Sequence, residues 1–161
     1  MDFEERLEKA IERGQQASSA RELAQARRRM TEKELSRLHS QYRLELSERI
    51  ERCLRQLADR FPGFRFETIV DEHGWGAVIR RDDIRLRRAS RGDTCFSRLE
   101  MVVRPFSSYY VLELAAKATV CNKELYNRTH YQRLAEVDLT SFTEMIDLWV
   151  LEYAERYAAE S

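Results

Sequence analysis

The sequence predicts an α+β protein with a long N-terminal helical segment, an antiparallel five- or six-stranded meander sheet, and a C-terminal amphipathic helix packed on the sheet. Residues 1–61 contain no proline, are dense in charge and place their apolar residues at helical spacing. After Pro62 and Gly63, short segments alternate apolar and polar residues, which is the pattern of strands. Helical spacing returns near residue 140, so the predicted order is helix, sheet, helix.

Composition narrows the class of protein. The chain has 161 residues, the size of one ordinary domain, with 28 basic and 28 acidic side chains. That balance disfavours a general role in coating nucleic acid. No run approaches the roughly 20 apolar residues of a membrane span, so we expect no membrane partner. Cys53, Cys95 and Cys121 are odd in number and widely spaced, which predicts reduced thiols in a cytoplasmic protein.

The first sixty residues predict a helix with breaks. An apolar stripe opens the chain and should end near Gly14, followed by a hinge. Ser19 with Glu22 forms a capping-box pattern, which predicts that a second helix starts there. Thr31 with Glu34 repeats the pattern, so the helix is expected to restart or kink there. The opening stripe consists of Phe3, Leu7, Ala10 and Ile11.

From Leu35 onward the apolar positions advance by three or four residues, which predicts a helix buried on a sheet. A continuous helix over 20–60 would be about 60 Å long, longer than a domain of this size is wide, so its N-terminal half should project. We therefore divide the chain into a projecting helical arm, 1–40, and an α+β domain, 41–161. Within the domain we expect the helix to end at about 60, the sheet to occupy about 64–133 and the last helix about 140–159.

The predicted sheet is a meander of antiparallel strands. Residues 71–74 should turn the first hairpin, and residues 89–94 read as an exposed loop. The clearest strand runs from Tyr110 to Val120, with apolar residues on one face. Asn122 and Lys123 are predicted to turn it into the last strand.

A further two-residue turn is predicted at Asp82-Asp83. This turn would set Ile79 opposite Leu86 and Arg80 opposite Arg85. Like charges placed opposite each other lower the stability of a sheet unless an anion or an acidic partner covers them.

Arginines are concentrated around this turn. The cluster predicts a face that binds an anionic ligand, a nucleic-acid backbone or an acidic helix. The alternative is that Asp82, Asp83 and the acidic C-terminal third neutralise the cluster within the fold. The overall charge of zero makes nucleic acid the less favoured partner. The candidate residues are Arg80, Arg85, Arg87, Arg88 and Arg91.

We find no pattern that indicates catalysis, a metal or a cofactor. His39, His73 and His130 are far apart in sequence, and no His or Cys has the spacing of metal ligands. The chain has only five glycines and no glycine-rich phosphate loop. The sequence therefore predicts a protein without a cofactor or metal and disfavours enzymatic activity.

The last helix carries more apolar residues than one sheet contact covers, and the arm carries a sparse apolar stripe of its own. Together these features predict a non-enzymatic interaction or adaptor module that associates with itself or with another protein. The expected oligomer contacts are Leu23, Met30 and Leu35 on the arm and Leu148 and Leu151 on the last helix.

Overall fold

The computed structural model describes residues 2–28, 30–85 and 93–160. These residues form an α+β fold with two N-terminal helices, a five-stranded antiparallel sheet and a C-terminal helix on the sheet, as predicted. The elements are α1 (Phe3–Arg28), α2 (Glu32–Arg60), β1 (Arg65–Asp71), β2 (Gly74–Arg85), β3 (Asp93–Val103), β4 (Val111–Val120), β5 (Lys123–Arg133), a 3-10 turn (Leu134–Glu136) and α3 (Leu139–Glu160).

The N-terminal segment breaks once. α1 continues through Gly14 and Ser19, so the predicted hinge and the predicted cap at Ser19 were wrong. One glycine costs a helix only about 1 kcal/mol, and the Gln, Ala, Arg, Leu and Glu residues that follow are good helix formers. The cap at Thr31 is confirmed, because its Oγ1 accepts a hydrogen bond from the Glu34 amide at 3.2 Å and opens α2.

The five strands follow the order β1-β2-β3-β4-β5, a simple meander. The predicted turn at Asp82-Asp83 was wrong, because β2 runs straight through both residues and pairs with β3 as far as Arg85 opposite Asp93. Residues i and i+2 share a face of a strand, so Arg81 donates to the Asp83 carboxylate at 2.9 Å along the strand. Asp93 and Thr94 likewise belong to β3 and not to a loop, whereas residues 86–92 lie outside the described residues.

Cys121 and Asn122 form the two-residue turn between β4 and β5, one residue earlier than predicted. Both have positive φ, 46° and 70°, as a type I′ hairpin turn requires. The turn is tied to β3, since the Asn122 amide donates to the carbonyl of Phe96 at 2.8 Å.

Cys95 and Cys121 are joined in a disulfide, so the prediction of three reduced thiols was wrong. Their sequence separation of 26 residues gives no pairing signal, but the β3–β4 pairing and the β4–β5 turn bring their Cα atoms to 4.4 Å. Cys53 is the free cysteine.

The core lies between one face of the sheet and the pair α2 and α3. The two helices run in the same direction, because Arg49 contacts Asp147 and, further along, the ring of Phe61 contacts that of Tyr157. Buried side chains of the core include Leu46, Ile50, Leu54 and Leu57 from α2, Ile79, Leu99, Met101, Leu112 and Leu114 from the sheet, and Phe142, Ile146, Trp149 and Tyr153 from α3.

Polar contacts fix α3 on the sheet. The Tyr126 hydroxyl donates to the carbonyl of Trp149 at 2.7 Å, and Tyr153 donates to the carbonyl of Thr119 at 2.9 Å. Because these hydroxyls are buried, the contacts satisfy groups that would otherwise oppose burial. They leave the outer side of α2 and α3 facing away from the sheet, where the candidate surfaces lie.

Candidate interaction surface

α1 presents an apolar stripe to solvent. All of its described side chains, through Leu23, are exposed. Phe3, Leu7 and Ile11 are 77%, 46% and 52% exposed, and they follow each other at intervals of four residues. Because residues four apart lie on one side of a helix, the three side chains form a single ridge. The small residues Ala10 and Gly14 border it.

The expected contact residues of the arm separate into two groups. Leu23 is 66% exposed, but in a continuous helix it lies about 160° around the axis from Leu7, on the other side. Leu35 is 8% exposed within the core of its own chain, and Met30 is partly buried against that core. The ridge of α1 and Leu23 are therefore the apolar surfaces that the arm offers to a partner.

A groove of about 820 Å³ separates α2 from α3 on the side away from the sheet. Cys53, Leu57, Val150 and Ala154 are apolar residues that line it. Polar and charged residues surround them: Arg49, Arg52, Gln56, Asp59 and Arg60 from α2, and Asp147 from α3.

Leu148 and Leu151 form an exposed apolar ridge on α3, as the sequence indicated. They are 58% and 64% exposed, and Leu151 also borders the groove. Sequence reasoning missed the groove itself. Its two walls are almost one hundred residues apart in sequence, and only the parallel packing of α2 and α3 makes the groove.

One ion pair joins the two helices at the N-terminal end of the groove. Two nitrogens of the Arg49 guanidinium group, Nε and Nη2, donate hydrogen bonds to the Asp147 carboxylate, at 3.0 and 2.5 Å. These hydrogen bonds raise the pKa of Arg49 above its ordinary value. Burial raises the pKa of the Cys53 thiol, and the nearby Asp147 carboxylate acts in the same direction. A raised pKa favours the protonated thiol, so Cys53 lacks the thiolate character of a reactive cysteine.

The predicted arginine cluster is only partly described. Arg80 pairs with Glu67 at 3.1 Å and Arg81 with Asp83 at 2.8 Å, so acidic residues of the same fold neutralise both. Arg85 ends β2, with its side chain outside the described part. Arg87, Arg88 and Arg91 lie outside the described residues.

The sheet creates a different arginine row, which sequence reasoning missed. Arg80 pairs across β1 with Arg65 and across β3 with Arg98, and not with Arg85 as predicted. Directly paired residues of neighbouring strands point to the same face, so three guanidinium groups stand side by side. Glu67 pairs with Arg80 at 3.1 Å and Glu100 pairs with Arg98 at 3.0 Å. Among the described residues, Arg65 is therefore the member of the row without a side-chain ion pair.

His130 and Ser141 form a contact that resembles a nucleophile and base. Nε2 of His130 lies 3.0 Å from Oγ of Ser141, and the ring packs edge-on against Phe142. The same hydroxyl accepts a hydrogen bond from Gln132 at 3.1 Å, and Gln132 also accepts from the Asp138 amide. These bonds hold the start of α3 against β5. Within the described ranges, no group of three or more His, Cys, Asp or Glu residues is placed to hold a metal.

Comparison with known proteins finds no match to this chain among protein-family models, curated proteins or solved structures. Over the described part of the chain, no helix combines the length and the apolar composition needed to cross a membrane.

Proposed function

We propose that this protein is a non-enzymatic interaction module that associates with itself through α1. The observation that carries this proposal is the exposed ridge of Phe3, Leu7 and Ile11 on a 26-residue helix whose described side chains are all exposed. A helix of about 39 Å whose described side chains are exposed lacks the tertiary packing from which most helical stability in proteins comes. A partner that covers the ridge would stabilise it.

The energetics favour two reciprocal contacts. Burying Phe3, Leu7 and Ile11 contributes at most about 4.5 to 9 kcal/mol per copy, at about 1.5 to 3 kcal/mol for each side chain that passes from full exposure to full burial. Association costs roughly 4 to 15 kcal/mol in lost translational and rotational freedom. A symmetric dimer in which both copies bury their ridge contributes at most about 9 to 18 kcal/mol, which covers more of that cost than one ridge alone.

The test is the molar mass of the full chain in solution, measured by light scattering behind a sizing column at low and high salt. We expect a dimer or larger oligomer that survives high salt, because the ridge is apolar. Leu7→Gln should shift the mass toward the monomer. Leu23→Gln is the matched control, an exposed leucine of the same helix on the other side, and should leave the mass unchanged. A monomeric natural chain at high concentration would refute the proposal.

A second candidate function is the binding of an anionic ligand or a nucleic-acid backbone at the arginine row of Arg65, Arg80 and Arg98. The cross-strand pairing of the three arginines favours it. This replaces the predicted face from Arg80 to Arg91, of which only the first part is described.

The arginine row is tested by retention on immobilised polyphosphate at increasing salt. Arg65→Gln should elute at lower salt, because Arg65 is the arginine of the row without a side-chain ion pair among the described residues, and its phosphate contact is lost. Arg37→Gln, an exposed arginine on α2, is the control and should elute with the natural chain. Elution of all three proteins at the same salt would exclude this function.

The cytoplasmic location is part of the same proposal. One of its supports is weakened, because reduced thiols favoured the cytoplasm and the structure joins Cys95 to Cys121. Mass spectrometry after alkylation of the protein isolated from its native cell decides the point. Two modified thiols at these positions would support the cytoplasm, and a blocked pair would contradict it.

A further inference from the structure

We infer that the groove between α2 and α3 receives the N-terminal half of α1 from a second copy of this chain. The inference rests on the proposed self-association and names the surface that the ridge binds. In a symmetric dimer each copy would donate its α1 and accept the other, so the same contact forms twice.

Shape and polarity fit this pairing. The ridge of Phe3, Leu7 and Ile11 is convex and spans nine residues of α1. The groove is concave, about 820 Å³ in volume, and has apolar lining residues between two parallel helices. An amphipathic helix that lays its apolar side in such a groove is a common mode of peptide recognition. Leu151 at the edge of the groove, 64% exposed, extends the apolar contact.

Charge complementarity supports the same pairing. The segment 2–13 carries five acidic and three basic side chains. The groove lining carries three arginines, Arg49, Arg52 and Arg60, and two aspartates, Asp59 and Asp147. The two surfaces therefore have opposite net charge, which orients the acidic half of α1 toward the groove and disfavours its basic C-terminal end.

The geometry of the connection favours a second copy over the same chain. Met30 packs against the core, and Thr31 caps α2 through the Glu34 amide. These contacts hold the start of α2, and α1 leaves it with its described side chains exposed. In the structure α1 is not folded back onto its own α2, since its described side chains through Leu23 remain exposed, and the groove of the same chain is left open to a second copy.

Cys53 supplies a natural reporter, because it lines the groove and is the free cysteine. Single variants Phe3→Cys, Leu7→Cys and Ile11→Cys place a second thiol along the ridge and cover differences in register. Glu5→Cys is the matched control, since it lies two residues from Leu7 and about 160° around the axis. Each variant is oxidised mildly with copper phenanthroline at dilution, and the products are separated on a non-reducing gel and mapped by peptide mass spectrometry.

We expect a covalent dimer linked between a ridge cysteine and Cys53 of the other copy, with a yield roughly tenfold or more above Glu5→Cys, because docking raises the effective concentration of the two thiols. Cys53→Ser in the same background should abolish the product. A tagged chain that carries both Leu7→Cys and Cys53→Ser is then mixed with an equal mass of the untagged natural chain. The new thiol at position 7 and Cys53 now lie on different chains, so a mixed covalent dimer proves that the bond joins two copies.

Three outcomes would overturn the inference. A link to Cys53 within one chain shows that α1 folds back on its own groove. A dimer linked through two ridge cysteines, independent of Cys53, shows that α1 pairs with α1. Yields no higher than for Glu5→Cys show that the groove is not the acceptor. Light scattering on the same samples separates these failures from failure of the proposed function: an oligomer without the Cys53 link refutes only the groove, whereas a monomer refutes self-association as well.

Discussion

α1 and α2 are helices of similar length and similar charge density, but they differ in burial. α1 has 26 residues and α2 has 29, and both are built mainly from Glu, Arg, Gln, Ala and Leu. α2 buries six side chains against the sheet and α3, whereas every described side chain of α1 is exposed. The difference lies in how long the apolar pattern persists.

In α2 the apolar positions recur every three or four residues from Leu35 to Leu57, which is long enough to cover the sheet. In α1 the large apolar residues of the ridge stop at Ile11, after three turns. The comparison teaches that local helix propensity makes both helices, but only a sustained stripe secures a place in the core. The proposed partner surface on α1 rests on this short stripe.

The largest expected effect compares a leucine of each helix. Leu54 is fully buried, so Leu54→Ala should lower the free energy of unfolding by about 2 to 5 kcal/mol through lost burial and a cavity. Leu7→Ala should change it by less than about 0.5 kcal/mol in a sample dilute enough to be monomeric. Urea denaturation measures both, and a large loss for Leu7→Ala in the monomer would contradict the division between arm and body.

The disulfide should distinguish the body from α1 in the same way. Replacing Cys95 and Cys121 together by Ser opens a loop of 26 residues and should cost roughly 3 kcal/mol of unfolding free energy. The far-ultraviolet signal of α1 at low denaturant should not change, because the bond lies at the end of β3 and β4. Cys53→Ser is the control for the loss of a cysteine outside the bond, and an unchanged midpoint for the double variant would count against the pairing.

The single break between the helices gives a smaller effect. Thr31→Ala removes the cap of α2 and should cost about 1 kcal/mol. Ser19→Ala tests the cap that the sequence predicted but the structure replaces with continuous helix. It should be neutral or slightly stabilising, because Ala is the better residue inside a helix. A cost at Ser19 equal to that at Thr31 would mean that α1 is broken after all.

The smallest effect is a pH dependence confined to α2. His39 is buried and its Nε2 donates to the carbonyl of Arg104 at 3.0 Å. Burial lowers the pKa of His39 below its ordinary value of about 6.5. The unfolded chain then binds a proton that the folded chain does not, so stability is complete above pH 6.5 and falls as the pH drops below it. His39→Gln keeps a donor without this titration, so its stability should vary less between pH 7 and 5.5.

Much of the architecture could be predicted because it depends on local periodicity. The alternation through β4, the spacing of α2 and α3 and the Thr31 cap are all confirmed. Errors arose where a local signal competes with a distant one. Asp82 and Asp83 resemble a turn, but pairing with β3 keeps them in β2. Ser19 resembles a cap, but the good helix formers around it continue α1.

The candidate surfaces divide along the same line. Leu148 and Leu151 were recognisable as surplus apolar residues on a helix whose other side was already apolar. The sequence could not distinguish Leu23 from Leu35, because both lie in the predicted arm. In the structure Leu23 is exposed and Leu35 is buried. The arginine row depends on strand register, and a register is set by pairing between segments that are tens of residues apart.

By itself, the sequence determined the fold class, the order of the elements and the existence of an amphipathic ridge on α1, because each depends on the spacing of apolar residues that are close together in the sequence. Tertiary structure alone decided the Cys95–Cys121 bond, the pairing of Arg80 with Arg65 and Arg98, and the groove beside Asp147. Each of these requires two distant segments to meet. Burial of the whole core, and not any local pattern, determines which distant segments pack together.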